Sequence, residues 1–500
     1  MNPPPPDARV VVTGAMFVLF LAALEQTVVA TALPAMVADL GQFALGSWVI
    51  TAYLLSSVCA TPVAGKLSDM FGRARVLRAC LALFVTGSLG CALAPHMEVL
   101  VAARVVQGLG GGGLMAMAQV IIADAVAPRD RGRYAGYFTL VWMSAAVAGP
   151  LFGGVLAQAG LWRWIFGVNL PLGAVAFVLS NRALARIPEA RRPAHVDFIG
   201  IVLLCLAAVA LLSTASSLLA IHNGNRTAVV VAVGAIVLIA AFVRRQRSAR
   251  EPIIPPQFLR DRVIAPVLAT GFLVSGSYLA LTVVIPLYFQ VGLGRNAAES
   301  GLLLLPTMLA GSAAAMLGGR YTKTHGRYRT PPLRSLPVAI LAAVGLGFAM
   351  PTGNVPLVAV LSAVAAMGVG TSFPCTMVAA QSAAPPRDVG AASGAMTLSR
   401  ALGGALVTGI AIATLLVLVQ GSLPEGTALA GLEDLLQHPM SDAVHAIALA
   451  AFGKVAWLLA GVLAAGFVVF AVVEDRPLAT SVPSARLRAQ EKSGGEGARS

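Results

Sequence analysis

Apolar runs of about 20 residues, separated by short polar stretches, recur along the whole chain. A helix needs about that many residues to cross the ~30 Å hydrocarbon core of a bilayer. Fourteen runs can be marked, at 11–33, 46–65, 76–94, 99–122, 134–157, 164–181, 198–218, 227–243, 263–289, 300–318, 336–350, 356–380, 396–419 and 443–473. The pattern predicts an all-α polytopic membrane protein of fourteen transmembrane helices, and an even count places both termini on one side.

Two polar junctions repeat. Gly65 to Arg73 joins the second and third runs, Gly319 to Arg327 joins the tenth and eleventh, and each has a Gly followed seven residues later by Gly-Arg. The repeat divides the chain into a cytoplasmic N-terminus (1–10), a six-helix bundle (11–182), two inserted helices (198–243), a second six-helix bundle (263–473) and a disordered cytoplasmic tail (474–500). The second bundle carries an outward loop at 420–442, where a short amphipathic helix is expected around 432–436. Two related halves with a site between them are a common plan of secondary transporters.

Composition narrows the class. The chain is 58% hydrophobic and 11% charged, with a mean hydropathy of +0.83; a soluble protein of that balance could not cover its apolar surface. Disordered, collagenous and disulfide-stapled classes need far more polar, Gly-Pro-periodic or Cys-dense sequence. The five cysteines lie in apolar runs without metal spacing, so no metal and no cofactor are expected. The first ten residues lack the basic region of a secretory signal, so the first run is expected to remain as a span.

The net charge of +14 would suit a nucleic-acid binder if it were clustered. With fourteen spans, however, 29 of the 35 Lys and Arg fall on the side of the termini, three on the opposite side and three inside spans. Positive charge marks the cytoplasmic side. The expected placement is the plasma (inner) membrane with both termini cytoplasmic and no nucleic-acid partner; the lipid bilayer is the main partner. The outward loop, acidic through Glu425, Glu433, Asp434 and Asp442, is the candidate surface for a periplasmic adaptor protein.

Glu25 alone among the 21 acidic residues lies well inside a run. A charged carboxylate there costs about 2.5–3.5 kcal/mol on insertion scales, so it must be neutral or paired. A carboxyl moved between an apolar setting and a cation binds and releases a proton. Arg104, on the fourth span at matching depth, is the partner expected from the sequence, and Gln107 lies one turn along the same face. The plainer alternative is a polar residue beside an aqueous crevice.

The string Gly108-Leu-Gly110-Gly111-Gly112-Gly113 matches the dinucleotide fingerprint, but the fingerprint has meaning only between a strand and a helix. Inside a span these glycines predict close helix approach. In Gly149-Pro150-Leu-Phe-Gly153-Gly154 the proline removes a helix hydrogen bond, while Gly149 and Gly153 offer a GxxxG face. In the Gly65–Arg73 junction, Gly65 and Gly72 permit a tight turn, Asp69 can address a helix N-terminus, and Arg73 stays at the surface, as in a conformational latch. Lys454, about 14 Å along the last span from His445, is a weaker cavity candidate, as are Tyr288 and Gln290 at the end of the ninth span. Arg400 reads as structural.

Together these strings resemble the major facilitator superfamily, and within it the fourteen-span drug:proton antiporter family of EmrB/QacA-like multidrug efflux transporters. The junction at Gly65–Arg73 is similar to the superfamily's loop motif, with Met70 where arginine is usual. Leu100-x3-Arg104-x2-Gln107-Gly108-x-Gly110 resembles its span-four motif, and Gly149-Pro150-x2-Gly153-Gly154 its antiporter motif, with Ala145 in place of a leading glycine. Leu24-Glu25-Gln-Thr27-Val-Val-Ala30 to Pro34 resembles the span-one signature of the fourteen-span branch, with Glu25 for aspartate and Ala30 for asparagine. Trp162 to Gly173, which includes Asn169, is a further match.

The resemblance implies a major facilitator fold and export of a small lipophilic substrate in exchange for protons, hence multidrug efflux and antibiotic resistance. It also implies coupling through Glu25 and Arg104, docking of Asp69 at the start of span thirteen, and packing of span five on span ten. Thr27, Gln107 and Asn169 become substrate-cavity candidates. The proton gradient replaces any cofactor. Two alternatives stand beside this reading: a proton-coupled carrier of one specific metabolite, and a membrane-embedded sensor or enzyme. The last is disfavoured because no nucleophile, base and metal cluster occurs in the spans.

Overall fold

The structure is a computed structural model that describes residues 6–184, 196–222, 224–421 and 442–478. The expected outward-loop helix and most of the tail lie outside the described residues. The first half comprises α1 (Pro6–Leu40), α2 (Phe43–Phe71), α3 (Arg73–Ala92), α4 (Met97–Ala125), α5 (Pro128–Gln158), α6 (Trp164–Gly167) and α7 (Asn169–Leu184). The insertion comprises α8 (Phe198–Ser216), α9 (Leu218–His222) and α10 (Arg226–Ser248). The second half comprises α11 (Ile264–Leu287), α12 (Ala297–His325), α13 (Thr330–Ala349), α14 (Val355–Gly370), α15 (Ser372–Ala383), α16 (Val389–Gln420) and α17 (Asp442–Ala471).

Twelve helices among the described residues are long and apolar enough to cross a membrane, which corrects the expected fourteen. The fifth and sixth runs make the difference. Helix α5 has 31 residues, but several of its side chains lie outside the described set. The sixth run breaks at Val168 into a 4-residue and a 16-residue helix; the longer piece spans about 24 Å, short of the ~30 Å core.

Each half has its own apolar cores, one toward the termini and one on the far side. In the first half these centre on Leu19, Phe84 and Leu114, and on Val29, Leu100 and Phe166. In the second they centre on Val267, Leu336 and Phe470, and on Ile285, Leu346 and Phe452. Large apolar side chains such as Ile236, Leu341 and Phe348 remain exposed on helix exteriors, as a lipid-facing surface requires. The insertion does not sit apart. Leu204 of α8 packs with Val63 of α2 and Leu398 of α16, so α8 lies over the line where the two halves meet.

Hydrogen bonds and ion pairs between the two halves, among the described residues, all lie on the side of the termini. They join Asp69 to Gly390 and Ala391, Lys66 to Asp388, Gln119 to Thr397, Arg129 to Lys323 and Thr324, and Asp130 to Lys323. The halves are therefore closed on that side.

Candidate functional site

The centre of the first half is a connected polar cluster inside an apolar shell. Glu25 on α1 and Arg104 on α4 are each 1% exposed, and Arg104 Nη1 donates to Glu25 Oε1 at 2.5 Å. Asn169, the first residue of α7, donates through Nδ2 to Glu25 Oε2 at 2.6 Å. The break at Val168 is what brings Asn169 to that depth, because it sets the first turn of α7 against α1. Gln107 accepts from Arg104 Nη1 at 2.6 Å and donates to Ser88 Oγ at 2.8 Å. Ser88 also accepts from Asn169 at 3.3 Å and donates its own hydroxyl to Phe84 O.

Arg104 is held from three sides. Its Nε donates to Val49 O at 3.0 Å, its guanidinium carbon lies 4.2 Å from the Tyr53 ring centroid, and the Phe166 ring is at 5.8 Å. A cation over an aromatic face in a dry site gains about 1–2 kcal/mol. Arg104 and Asn169 both donate to Glu25, so the site is built around an acceptor-only, ionised carboxylate. That arrangement can hold one negative charge, or accept one proton if Arg104 withdraws. At the far end of α1, Asp39 accepts from Arg163 and Trp162, which fixes α1 against the chain entering α6. The Arg163 guanidinium, helped by the Trp162 indole, holds the Asp39 carboxyl below the usual carboxylate range.

Glycines set how closely the helices approach. A Cβ on Gly112 would collide with the Ser57 carbonyl of α2, and one on Gly149 with Thr27 Oγ1 of α1. Gly153 faces Val28 and Thr31 in the same way, whereas Gly154 faces open space. Helix α5 continues through position 150; the side chain of Pro150 lies outside the described residues. The Gly149-to-Gly153 face therefore packs on α1, and the Thr27 hydroxyl is engaged with Leu24 O and Ala145 O.

The latch residues meet across the halves. Asp69 accepts from the amides of Gly390 and Ala391, in the first turn of α16, at 3.1 and 2.9 Å. Arg73 bridges Asp69 and Asp124 at 2.5 and 2.6 Å. Gly72 turns with φ of +92°, which favours glycine, and Gly65 lies against the Gly390 backbone. The sequence repeat has a spatial counterpart. Gly326 also has positive φ, +68°, and Gly319 lies against the Gly132 backbone of α5.

The remaining candidates lie elsewhere. Tyr288 is fully buried, donates to Met350 O at 2.9 Å and packs edge-on to Phe452; it belongs to the second half's core, not to a cavity wall. Gln290 is half-buried on the π-helical turn Tyr288–Gly292. Lys454 is exposed. Its neighbour Gly453 abuts Gly347 and Pro351, where α13 ends, and Lys454 lies eight residues into the apolar stretch Ala446–Ala471 of α17. Ser88 and Tyr53 are the cluster members that sequence reasoning missed. A serine within an apolar run was the available signal for the first; nothing in spacing marked the second.

Comparisons with known proteins are consistent with this arrangement. The family model described as Major Facilitator Superfamily matches residues 15–408. The MFS-type transporter ppz2 of Metarhizium majus is 34% identical over 403 residues, covering 78% of this chain and 68% of that protein. Multidrug resistance protein 3 of Bacillus subtilis is 31% identical over 399 residues, covering 79% and 77%. Among solved structures, the human organic anion transporter MFSD10 (TETRAN) superposes with a TM-score of 0.65 at 17% identity, covering 93% of this chain and 100% of that one. At that identity the likeness establishes the fold alone.

Proposed function

Because the chain belongs to the major facilitator superfamily, and is thus a multi-pass membrane transporter and not an enzyme, we propose that it is a proton-coupled antiporter. It exports drugs or other lipophilic small molecules by alternating access. The side of the termini is cytoplasmic, and the membrane is the plasma or inner membrane.

The observation that carries this reading is the Glu25 carboxylate, buried at mid-span and held by Arg104 and Asn169. A charge so placed is costly unless it is used or compensated. Protonation from the far side releases Arg104; loss of the proton to the cytoplasmic side restores the pair. Because α1 touches α5 through Gly149 and α2 through Tyr53, the change reaches the helices that carry the inter-half contacts. With those contacts closed, the structure corresponds to an outward-facing state. The Asp69 and Lys323 contacts are the ones that must open for the inward-facing state. The relative described as a multidrug resistance protein supports the efflux direction. The 420–442 loop stays the candidate face for a periplasmic adaptor.

The test is flux of a panel of lipophilic compounds in reconstituted vesicles with an imposed pH gradient. Gradient-driven accumulation is expected from the parent and is lost in Glu25→Gln, whereas unimpaired coupled flux in that variant removes Glu25 from the mechanism.

A further inference from the structure

We propose that Arg400 binds an anionic group of the transported compound, a carboxylate, sulfonate or phosphate monoester, so that lipophilic anions are a substrate class. The proposal rests on the transporter reading above and specifies its cargo.

Arg400 stands eleven residues into α16, about 16 Å from the helix start. An arginine at that depth is costly unless paired. The other deep cation, Arg104, has Glu25. Arg400 has no carboxylate within ion-pair distance among the described residues. Its Nη2 donates to Phe373 O at 2.6 Å and to Thr376 Oγ1 at 2.8 Å, both neutral acceptors. Its Nε is buried with no partner, and its Nη1 makes no hydrogen bond among the described residues. One nitrogen of three is engaged, and the positive charge is left without a counter-ion. Arg131 and Arg329 also keep an unpartnered nitrogen, but they cap the carbonyl ends of α4 and α17 outside the spans.

The surroundings are those of a binding site more than of a structural clamp. The guanidinium lies 5.2 Å from the Phe373 ring centroid, and Phe373 packs edge-on to Tyr278 at 5.4 Å, giving an aromatic wall for an apolar body. The helix is interrupted at Thr371, just before Phe373, and Pro374 follows without an N–H. Thr376 Oγ1 donates on to Ser372 O, while Ser372 Oγ is itself buried and unpartnered. Interrupted helices with unpartnered polar groups mark substrate sites in transporters.

Position completes the argument. One turn before Arg400, Thr397 donates to Gln119 of α4 across the two halves. One turn along α4 from Gln119, Met115 accepts from Gln26, the neighbour of Glu25. The turn of α16 before Arg400 and the residue next to Glu25 on α1 thus both reach the Met115–Gln119 stretch of α4. A planar guanidinium fork with free donors matches a carboxylate or sulfonate bidentately.

The test uses the full-length chain in nanodiscs at neutral pH with no gradient, so that a failure of proton coupling cannot imitate a failure of binding. The probes are 2-naphthoate and 2-naphthylmethylammonium, of similar shape and opposite charge, with empty nanodiscs as the partition control. The parent is expected to bind naphthoate roughly tenfold or more tighter than the ammonium, as loss of a charge-assisted contact predicts. Arg400→Gln should abolish that preference by weakening naphthoate alone. Arg400→Lys, which keeps the charge and loses the fork, should fall between the two, and it carries the test if the Gln variant fails to fold. A parent that binds neither probe or does not prefer the anion, or substitutions that weaken both probes equally, would overturn the proposal.

Discussion

Asp69 and Lys323 occupy equivalent places in the two halves, four residues after Gly65 and Gly319, and carry opposite charges across the same boundary. Asp69 takes two amides of the first turn of α16, and Lys323 pairs with Asp130 in the first turn of α5 at 3.0 Å. The geometry repeats although the chemistry is inverted: an acid meets a helix start in one latch, and a base meets an acid placed at a helix start in the other.

The two latches should differ in strength. Asp69 is nearly buried and bonds to backbone amides at a helix N-terminus, a geometry worth up to about 2 kcal/mol. The Lys323–Asp130 side chains are 24% and 43% exposed, and such pairs contribute about 0–1 kcal/mol. Asp69→Asn should therefore shift the population toward opening on the side of the termini more than Lys323→Ala does. Spin-label distances between the 72 and 326 turns measure that shift. An equal or reversed order would contradict the ranking.

The Glu25–Arg104 pair should be strongly non-additive. Removing either partner strands a buried charge, at a cost of about 3–5 kcal/mol, whereas removing both charges leaves a hydrogen-bondable neutral site. Glu25→Gln combined with Arg104→Gln is expected to be more stable than the Arg104→Gln single variant. Thermal unfolding in detergent gives the cycle; additive losses would mean the pair is not buried as described.

Asn169→Ala should lower stability by about 1–3 kcal/mol, because it removes the donor on Glu25 Oε2. Ser88→Ala should cost less, since Ser88 bonds to Gln107 and Asn169 and not to the carboxylate. The same melting measurement ranks them. Unchanged melting of Asn169→Ala would remove that residue from the cluster.

Two glycines separate packing from chance. Gly112→Ala must push α4 off the Ser57 backbone and should cost about 1–3 kcal/mol or more. Gly154→Ala meets nothing within 4 Å and should be neutral or gain up to about 1 kcal/mol from helix propensity. Expression yield and melting temperature report both.

Much of the architecture is legible in one dimension because lipid imposes a length and a polarity on every crossing. Glu25, Arg104 and Gln107 announce themselves as polar residues where none is tolerated unpaired, and the glycine repeat marks both turns. What sequence could not supply is which helix meets which. Asn169 meets Glu25 only because the chain breaks at Val168, and that break depends on the packing of α6 and α7. Tyr288 looked like a cavity residue for a related reason: its ring turns into the second half's core against Met350 and Phe452, and apolar length alone is silent on that.

The most direct test of Glu25 as the proton carrier is to add a transported compound to purified protein in weakly buffered detergent solution and record the pH. Release of protons by the parent on binding, with none from Glu25→Gln at matched occupancy, is the predicted result. Equal release from both proteins would place the exchanging proton on another group and contradict the account.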